Sequence, residues 1–426
     1  MSLDTTRNKI VNIFYLASVL FAFLFIASNY NNFRFGFNLK KNSGLSPYPS
    51  YRKCFALQDK IYKLIHDEYP GWSITVLDED RYINVDINGL EPRIPASNVK
   101  LISTAYALEK LGTEFKLKTR LVKRIDGVLE IWGEGDPDLD LSDINTLSKK
   151  ASLFLKKRVK FNKEPKIILY EEPFEDWWPD TWNRFDRLEP YGSPITRLAI
   201  TSNSQNRSIQ KPIERFRNSF VKAIKSYDGI IPLLENQIHR ETSFILTGRT
   251  TLKVIESSPM VSLLSLANSE SHNFTAEILM RMAAKSWKPN IASKRLYNWL
   301  INKKIPVDNF VLVDGSGLSR KNRLTSVGIS SLLWMMDQEK LSHFYKSSMS
   351  VIGLRGTLSD FNTDSNIYGN FYGKTGTLTG VRAISGILVT PSSKKYVSII
   401  ANNISSPDLK ISSMLALIYR FNECPL

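Results

Sequence analysis

The octapeptide Gly373-Lys374-Thr375-Gly376-Thr377-Leu378-Thr379-Gly380 constrains this chain more than any other stretch. It opens a series of three strand-like runs, Phe371 to Thr377, Ala383 to Val389 and Tyr396 to Asn402. β-branched and aromatic residues fill these runs and short polar turns separate them, which predicts consecutive antiparallel strands. On the first strand a cation, a hydroxyl and a glycine stand in consecutive positions. Such an edge can dock a carboxylate. Lys374 supplies charge, Thr375 donates a hydrogen bond, and Gly376 lets a substrate backbone approach.

A reactive group to serve that edge has to come from elsewhere in the chain. Ser-x-x-Lys occurs five times, starting at Ser50, Ser97, Ser208, Ser219 and Ser392. Four of these have ordinary settings: a Pro- and Tyr-rich connector, a run straight into Pro212, a basic helical stretch, and a hairpin turn after Pro391. Ser97 to Lys100 is different. Pro95 precedes it, apolar residues recur at Leu101, Ala105, Leu108 and Leu111, and Gly112 is a natural stop, so residues 97–111 predict one helix. A serine at a helix start and a lysine three residues on share one face. The amine can take the hydroxyl proton, and the helix dipole favours the negative charge that develops. The structural alternative is a capping Ser97 beside a solvated Lys100.

A third element is Ser271-His272-Asn273, whose two outer side chains point the same way, with helical periodicity resuming through Ile278, Leu279, Met280 and Met282. His272 reads as an exposed or supporting residue. Four scattered histidines and two cysteines offer no metal-ligand spacing.

Together, Pro95 to Leu101, the Ser-x-Asn followed by Ala276-Glu277, and Gly373 to Gly380 resemble the low-molecular-mass class C penicillin-binding proteins. These form the D-alanyl-D-alanine carboxypeptidase/endopeptidase family, and they share the Ser-x-x-Lys, Ser-Asp-Asn and Lys-Thr-Gly set with class A β-lactamases. Gly133 to Leu139, Tyr191 to Pro194 and Asp314 to Ser319 agree with this, and the similarity runs from about residue 54 to the C-terminus. Histidine replaces the frequent aspartate inside Ser-x-Asn. The stretch between Ser97 and Ser271 is shorter than is typical, which implies a trimmed insertion.

The resemblance implies an α+β fold: a penicillin-binding-protein/β-lactamase-like domain, its antiparallel sheet flanked by helices. Residues 54–113 and 256–426 would form this catalytic domain, and residues 114–255 a domain inserted after the Ser-x-x-Lys helix. It implies Ser97 as nucleophile and Lys100 as its base, kept neutral by desolvation and by the second cation Lys374. Ser271 would pass the proton to the leaving amine, and Asn273 would hold the substrate amide and the Lys100 amine. Lys374, Thr375, Gly376 and Thr377 would bind substrate, with the Ser97 and Thr377 N–H groups as oxyanion hole. The implied activity is serine D-Ala-D-Ala carboxypeptidase, with endopeptidase cleavage as an extension, acting on peptidoglycan stem peptides without metal or organic cofactor. β-Lactams would be covalent inhibitors. A β-lactamase or esterase on the same fold and a non-catalytic envelope binding protein are the alternatives.

The remaining features concern compartment and partners. Arg7 and Lys9 precede an uncharged run from Ile10 to Phe33, which predicts a signal peptide or membrane anchor over residues 1–33. Residues 34–53 read as a polar linker, and the catalytic part as exported to the periplasm or cell envelope. A net charge of +16 could suggest nucleic acid, but the basic residues are spread out, apart from a cluster between Lys149 and Lys166, and no nucleic-acid motif accompanies them. Anionic wall polymer or lipid headgroups fit such an exported protein better, and a solvated basic face with no specific partner is the alternative. The segment Asp176-Trp177-Trp178-Pro179-Asp180-Thr181-Trp182 could stack sugars or pack its own loop. Cys54 and Cys424 lie where the family's first and last helices pack side by side, so export permits a bridge between them; two free thiols are the alternative.

Overall fold

Apolar residues alternating along the strands put this chain's main sheet between two helical layers. The computed structural model describes residues 46–238 and 247–421. The chain begins with β1 (Ser50–Tyr51), α1 (Phe55–Ile65), β2 (Trp72–Leu77), β3 (Tyr82–Ile87) and α2 (Val99–Leu111). There follow β4 (Lys118–Arg124), β5 (Leu129–Trp132), α3 (Leu141–Lys160), β6 (Lys166–Glu171), α4 (Pro212–Asp228), β7 (Leu233–Ile238) and β8 (Arg249–Glu256). Helices α5 (Met260–Asn268), α6 (Asn273–Ala283), α7 (Pro289–Asn302), α8 (Ser326–Gln338) and α9 (Ser342–Ser347) come next. The chain closes with β9 (Ser350–Val351), β10 (Phe371–Leu378), β11 (Val381–Val389), β12 (Lys394–Asn402) and α10 (Pro407–Arg420).

Seven strands form the main sheet in the order β1-β3-β2-β12-β11-β10-β9, antiparallel except for β1 beside β3. Tyr396 and Ile400 on β12, with Leu77, Ala383 and Ile387, join the core of α2, α6 and α8. Val397, Ile399 and Ala401, with Ile74, Val76, Ile384 and Leu388, join the core of α1 and α10. Each buried Leu, Ile or Val among these contributes about 1.5–3 kcal/mol. The sheet is therefore made by both ends of the chain, and α2 lies against it with its N-terminus beside β10.

A second, five-stranded sheet runs β7-β6-β5-β4-β8, parallel through β5, β6 and β7. Phe216 and Phe220 of α4, with Leu147 and Leu155 of α3, cover Ile131 and Leu169 in a core of its own. Asp140 caps α3 by accepting from Ser142 N at 2.7 Å and Asp143 N at 3.0 Å. The Lys149 to Lys166 cluster spreads over the exposed side of α3 and the turn after it.

The connection after β6 leaves this sheet and returns to the main core. Trp178 and Trp182 are buried there among the α2 and α6 residues, their Nε1 atoms donating to Gly192 O and Asp314 Oδ2, each at 2.9 Å. Trp177 Nε1 donates to Glu172 O at 3.0 Å. The two buried rings of the aromatic-acidic segment thus pack into the core.

The last residues of the expected linker are also part of the fold. Ser50 and Tyr51 pair with Tyr82 and Ile83, and Arg52 N donates to Ile83 O at 3.1 Å. A strand this short has no periodicity to read in sequence. The expected leader or anchor lies outside the described residues, among which no helix is long and apolar enough to cross a membrane. Cys54 is buried and disulfide-bonded; Cys424 lies outside the described residues.

Candidate active site

Ala96, Ser97 and Asn98 form a tight turn that leads into α2. Ala96 takes a left-handed φ of 47°, uncommon for a residue with a Cβ. Gly317, itself at φ 81°, presses against this turn: a Cβ there would collide with the Ala96 carbonyl. Lys100 is fully buried one turn into the helix. Its Nζ lies 2.8 Å from Ser97 Oγ, 2.6 Å from Asn273 Oδ1 and 2.7 Å from the Ser316 carbonyl oxygen. The last two can only accept. An uncharged amine therefore gives its two protons to Asn273 and Ser316 and turns its lone pair to the Ser97 hydroxyl. Burial pushes Lys100 down to about 7, against the pull of the Asp314 and Glu277 carboxylates. The second cation expected to assist desolvation in this shift is itself poorly charged, because Lys374 is pushed well down by burial and by Lys100. Loss of water is the main cause.

Asn273 opens α6, behind a left-handed Ser271 with φ 60°. Its Nδ2 donates to the Tyr191 carbonyl at 2.9 Å, so only one of its two amide protons is left for a substrate. Ser271 Oγ has no hydrogen-bond partner among the described residues. Ser97, Lys100 and Asn273 are thus in direct contact, while the expected proton route through Ser271 is not closed. His272 Nδ1 lies 2.8 Å from Thr275 Oγ1, and burial together with Lys100 pushes the imidazole down to about 4. It is a neutral supporting residue.

The Ser316 carbonyl is delivered by a loop held on buried carboxylates. Glu277 Oε1 accepts from Gly315 N and Ser316 N, each at 2.9 Å. Asp314 Oδ1 accepts from Gly317 N at 2.8 Å and Asn322 Nδ2 at 2.7 Å. Asp314 Oδ2 accepts from Ser319 N at 2.7 Å and from Trp182 Nε1. Burial pushes both carboxyls up, Glu277 to about 7. Sequence reasoning missed the Ser316 carbonyl. The run Asp314 to Ser319 stood out, but a backbone oxygen leaves no side-chain signal.

β10 forms the opposite wall. Asn98 Nδ2 donates to the Lys374 carbonyl at 3.2 Å. A Cβ at Gly376 would lie 2.6 Å from Pro95 O and 2.9 Å from Asn98 Nδ2. Gly376 therefore lets the strand meet the Ser97 turn, a demand for glycine additional to the substrate approach that its place in the motif suggests. Lys374 is fully buried, donates to the Thr375 carbonyl at 2.9 Å, and has no carboxylate within ion-pair distance among the described residues. Thr375 Oγ1 donates to Thr357 Oγ1 at 2.7 Å, and Thr377 Oγ1 accepts from Arg382 Nη1 at 2.5 Å. β9 pairs with β10 only at Tyr372 and Gly373. From Lys374 onward the outer edge of β10 has no strand partner among the described residues, the geometry on which an extended peptide can add as a strand.

A serine bonded to a buried lysine at a helix start, beside an open Lys-Thr-Gly edge, defines a serine acyl-transfer enzyme of the penicillin-binding type. The fold agrees with penicillin binding protein 4 (dacB) from Haemophilus influenzae, with TM-score 0.70 at 18% identity over 84% of this chain and 98% of that chain. It also resembles Bd3459, a predatory peptidoglycan endopeptidase from Bdellovibrio bacteriovorus, with TM-score 0.51 at 16% identity over 82% and 92%. In sequence the chain is 22% identical over 412 residues to a D-alanyl-D-alanine carboxypeptidase of Actinomadura sp. (strain R39), covering 75% of each. It is 24% identical over 358 residues to carboxypeptidase DacB of Mycolicibacterium smegmatis, covering 78% of this chain and 76% of that one. Residues 58–212 and 199–417 match the D-Ala-D-Ala carboxypeptidase 3 (S13) family, and the chain belongs to that family of serine peptidases.

The contact between β10 and the Ser97 turn can be tested directly. Gly376→Ala should leave the fold intact by circular dichroism yet slow covalent labelling by a fluorescent penicillin about tenfold or more, because it moves the strand off the nucleophile. Unchanged labelling would show that the close approach is not needed.

Proposed function

We propose that this protein removes the terminal D-alanine from peptidoglycan stem peptides ending in D-Ala-D-Ala, through an acyl-enzyme on Ser97. The observation that carries this is the Lys100 amine, 2.8 Å from Ser97 Oγ with acceptors alone as its other two partners. Ser97 Oγ attacks the penultimate D-Ala carbonyl while its proton passes to Lys100. The C–N bond then breaks, and the proton reaches the departing amine through the unbonded hydroxyl of Ser271. Water hydrolyses the ester and restores Ser97. The Ser97 and Thr377 N–H groups hold the oxyanion.

Lys374, Thr375 and Thr377 receive the substrate carboxylate, and Asn273 offers its remaining amide proton to the peptide. A carboxylate supplies the countercharge that Lys374 lacks and returns it to the ammonium form. β-Lactams acylate the same serine. The open edge of β10 also suits a longer chain, so cleavage of D-Ala bonds in cross-links falls within the same mechanism. The N-terminal sequence supports export to the cell envelope, with peptidoglycan as the partner.

Three outcomes follow. Ser97→Ala should abolish D-alanine release from a disaccharide pentapeptide, measured by mass spectrometry, and abolish penicillin labelling with it. Label retained on any other Ser-x-x-Lys serine would refute the assignment. Because the base must be uncharged, wild-type acylation should rise with pH through about 7 and fall off below it. A rate that is flat from about pH 5 to 9 would exclude Lys100 as that base. Lys374→Ala should slow turnover of peptides with a free terminal carboxylate at least about tenfold more than turnover of their methyl esters. Equal losses would place Lys374 in the proton chemistry instead.

A further inference from the structure

Glu277 lies fully buried one turn into α6, and no step above uses its charge. Burying a carboxylate is costly unless donors meet its oxygens. Oε1 takes the Gly315 and Ser316 amides, while Oε2 has no hydrogen-bond partner among the described residues. Ser316 is shared between two ionisable groups, with its N–H on Glu277 and its C=O on the Lys100 amine. A residue needed only to pin the loop could do so with a neutral amide.

We propose that Glu277 is a positioning residue for Lys100. By holding the Gly315–Ser316 backbone it aims the Ser316 carbonyl at the amine, and by its charge it sets the pH at which that amine becomes a base. The proposal rests on Lys100 being the base of acylation. Three further groups border the pair. Asp314 faces it from the 314–322 loop, Arg281 from the next turn of α6, and Lys374 approaches Lys100 from β10. Glu172, Asp176 and Arg197 lie around Arg281, and His272 faces Lys100.

The two carboxyls of this cluster are unequal. Asp314 accepts four hydrogen bonds, two on each oxygen, and these oppose the upward push of burial. Glu277 accepts two on one oxygen, which makes it the carboxyl that can take a proton. When Lys100 and Glu277 are both ionised their charges cancel, and when the proton sits on Glu277 both are neutral. Lys100 can thus become a free base without leaving a net charge on the buried pair. Burial shifts the two towards each other, Lys100 down to about 7 and Glu277 up to about 7.

Glu277→Gln keeps the size of the side chain and an oxygen for both amides while removing the ionisable group. Acylation by a chromogenic β-lactam would be followed from about pH 5 to 9 in the full-length protein. Without the carboxylate, Lys100 holds its proton less tightly. The rising limb should therefore move towards acid by about half a unit or more. Glu277→Asp keeps the charge but withdraws it by one methylene from the loop, so its limb should stay near that of wild type while the rate falls about tenfold.

A Gln variant with an unmoved limb and a uniformly lower rate would overturn the proposal, leaving Glu277 as scaffold alone. If the Gln variant does not fold, the Asp variant decides: undiminished acylation would overturn the proposal, and a lowered rate on an unmoved limb would support it. A wild-type profile with no limb near 7 would instead refute Lys100 as the base, so the two failures are distinguishable.

Discussion

The amine of Lys100 sits in a fully buried position with three oxygens around it, and the rest of the site is arranged to keep it there. Those oxygens come from three elements distant in sequence: the Ser97 turn, the first residue of α6, and the 314–322 loop. Displacing any one of them would leave a buried amine short of a partner, which costs free energy of the order of 1–3 kcal/mol or more. Moving Lys100 from its ordinary 10.5 to about 7 corresponds to roughly 5 kcal/mol of preference for the neutral form. Such a preference is what the proposed role of Lys100 as a base at neutral pH requires.

Close approach without side chains is the second constraint. Gly317 and Gly376 press on the Ser97 turn from opposite walls, one from the loop that carries the Ser316 carbonyl and one from β10. Backbone strain is found at the same place. Ala96 precedes Ser97 in a left-handed conformation, and Ser271 takes another just before Asn273. Strain of this kind persists only where surrounding contacts over-determine it. Here Asn98 Nδ2 on the Lys374 carbonyl and Asn273 Nδ2 on the Tyr191 carbonyl supply such contacts. The second ties the 172–210 connection to the catalytic cluster, as Trp182 does at Asp314.

Regular periodicity made much of this readable in advance. The strands after Phe371 and the helix ending at Gly112 follow their period-two and three-four patterns, and Ser97, Lys100 and Asn273 could be found because side chains at fixed spacing carry their chemistry. What escaped the sequence was made of backbone groups and long-range geometry. The Ser316 and Tyr191 carbonyls have no signature of their own. Nor does the sharing of loop 314–322 between Glu277 and Asp314, which are far apart in the chain. The contact of Gly376 with the Ser97 turn has no signature either, because the two are distant in sequence. The shift of Lys100 was assigned in part to Lys374, because burial of that second lysine, and hence its own loss of charge, is a tertiary property.

Neutrality of Lys100 at physiological pH can be observed without turnover. Protein labelled with 13C at the lysine Cε carbons would be titrated by NMR, the Lys100 resonance being assigned by its absence in Lys100→Met. The account predicts that this resonance titrates near 7, separate from the surface lysines. A Lys100 resonance that moves only near the ordinary lysine value of about 10.4 would contradict it, and with it the assignment of the base.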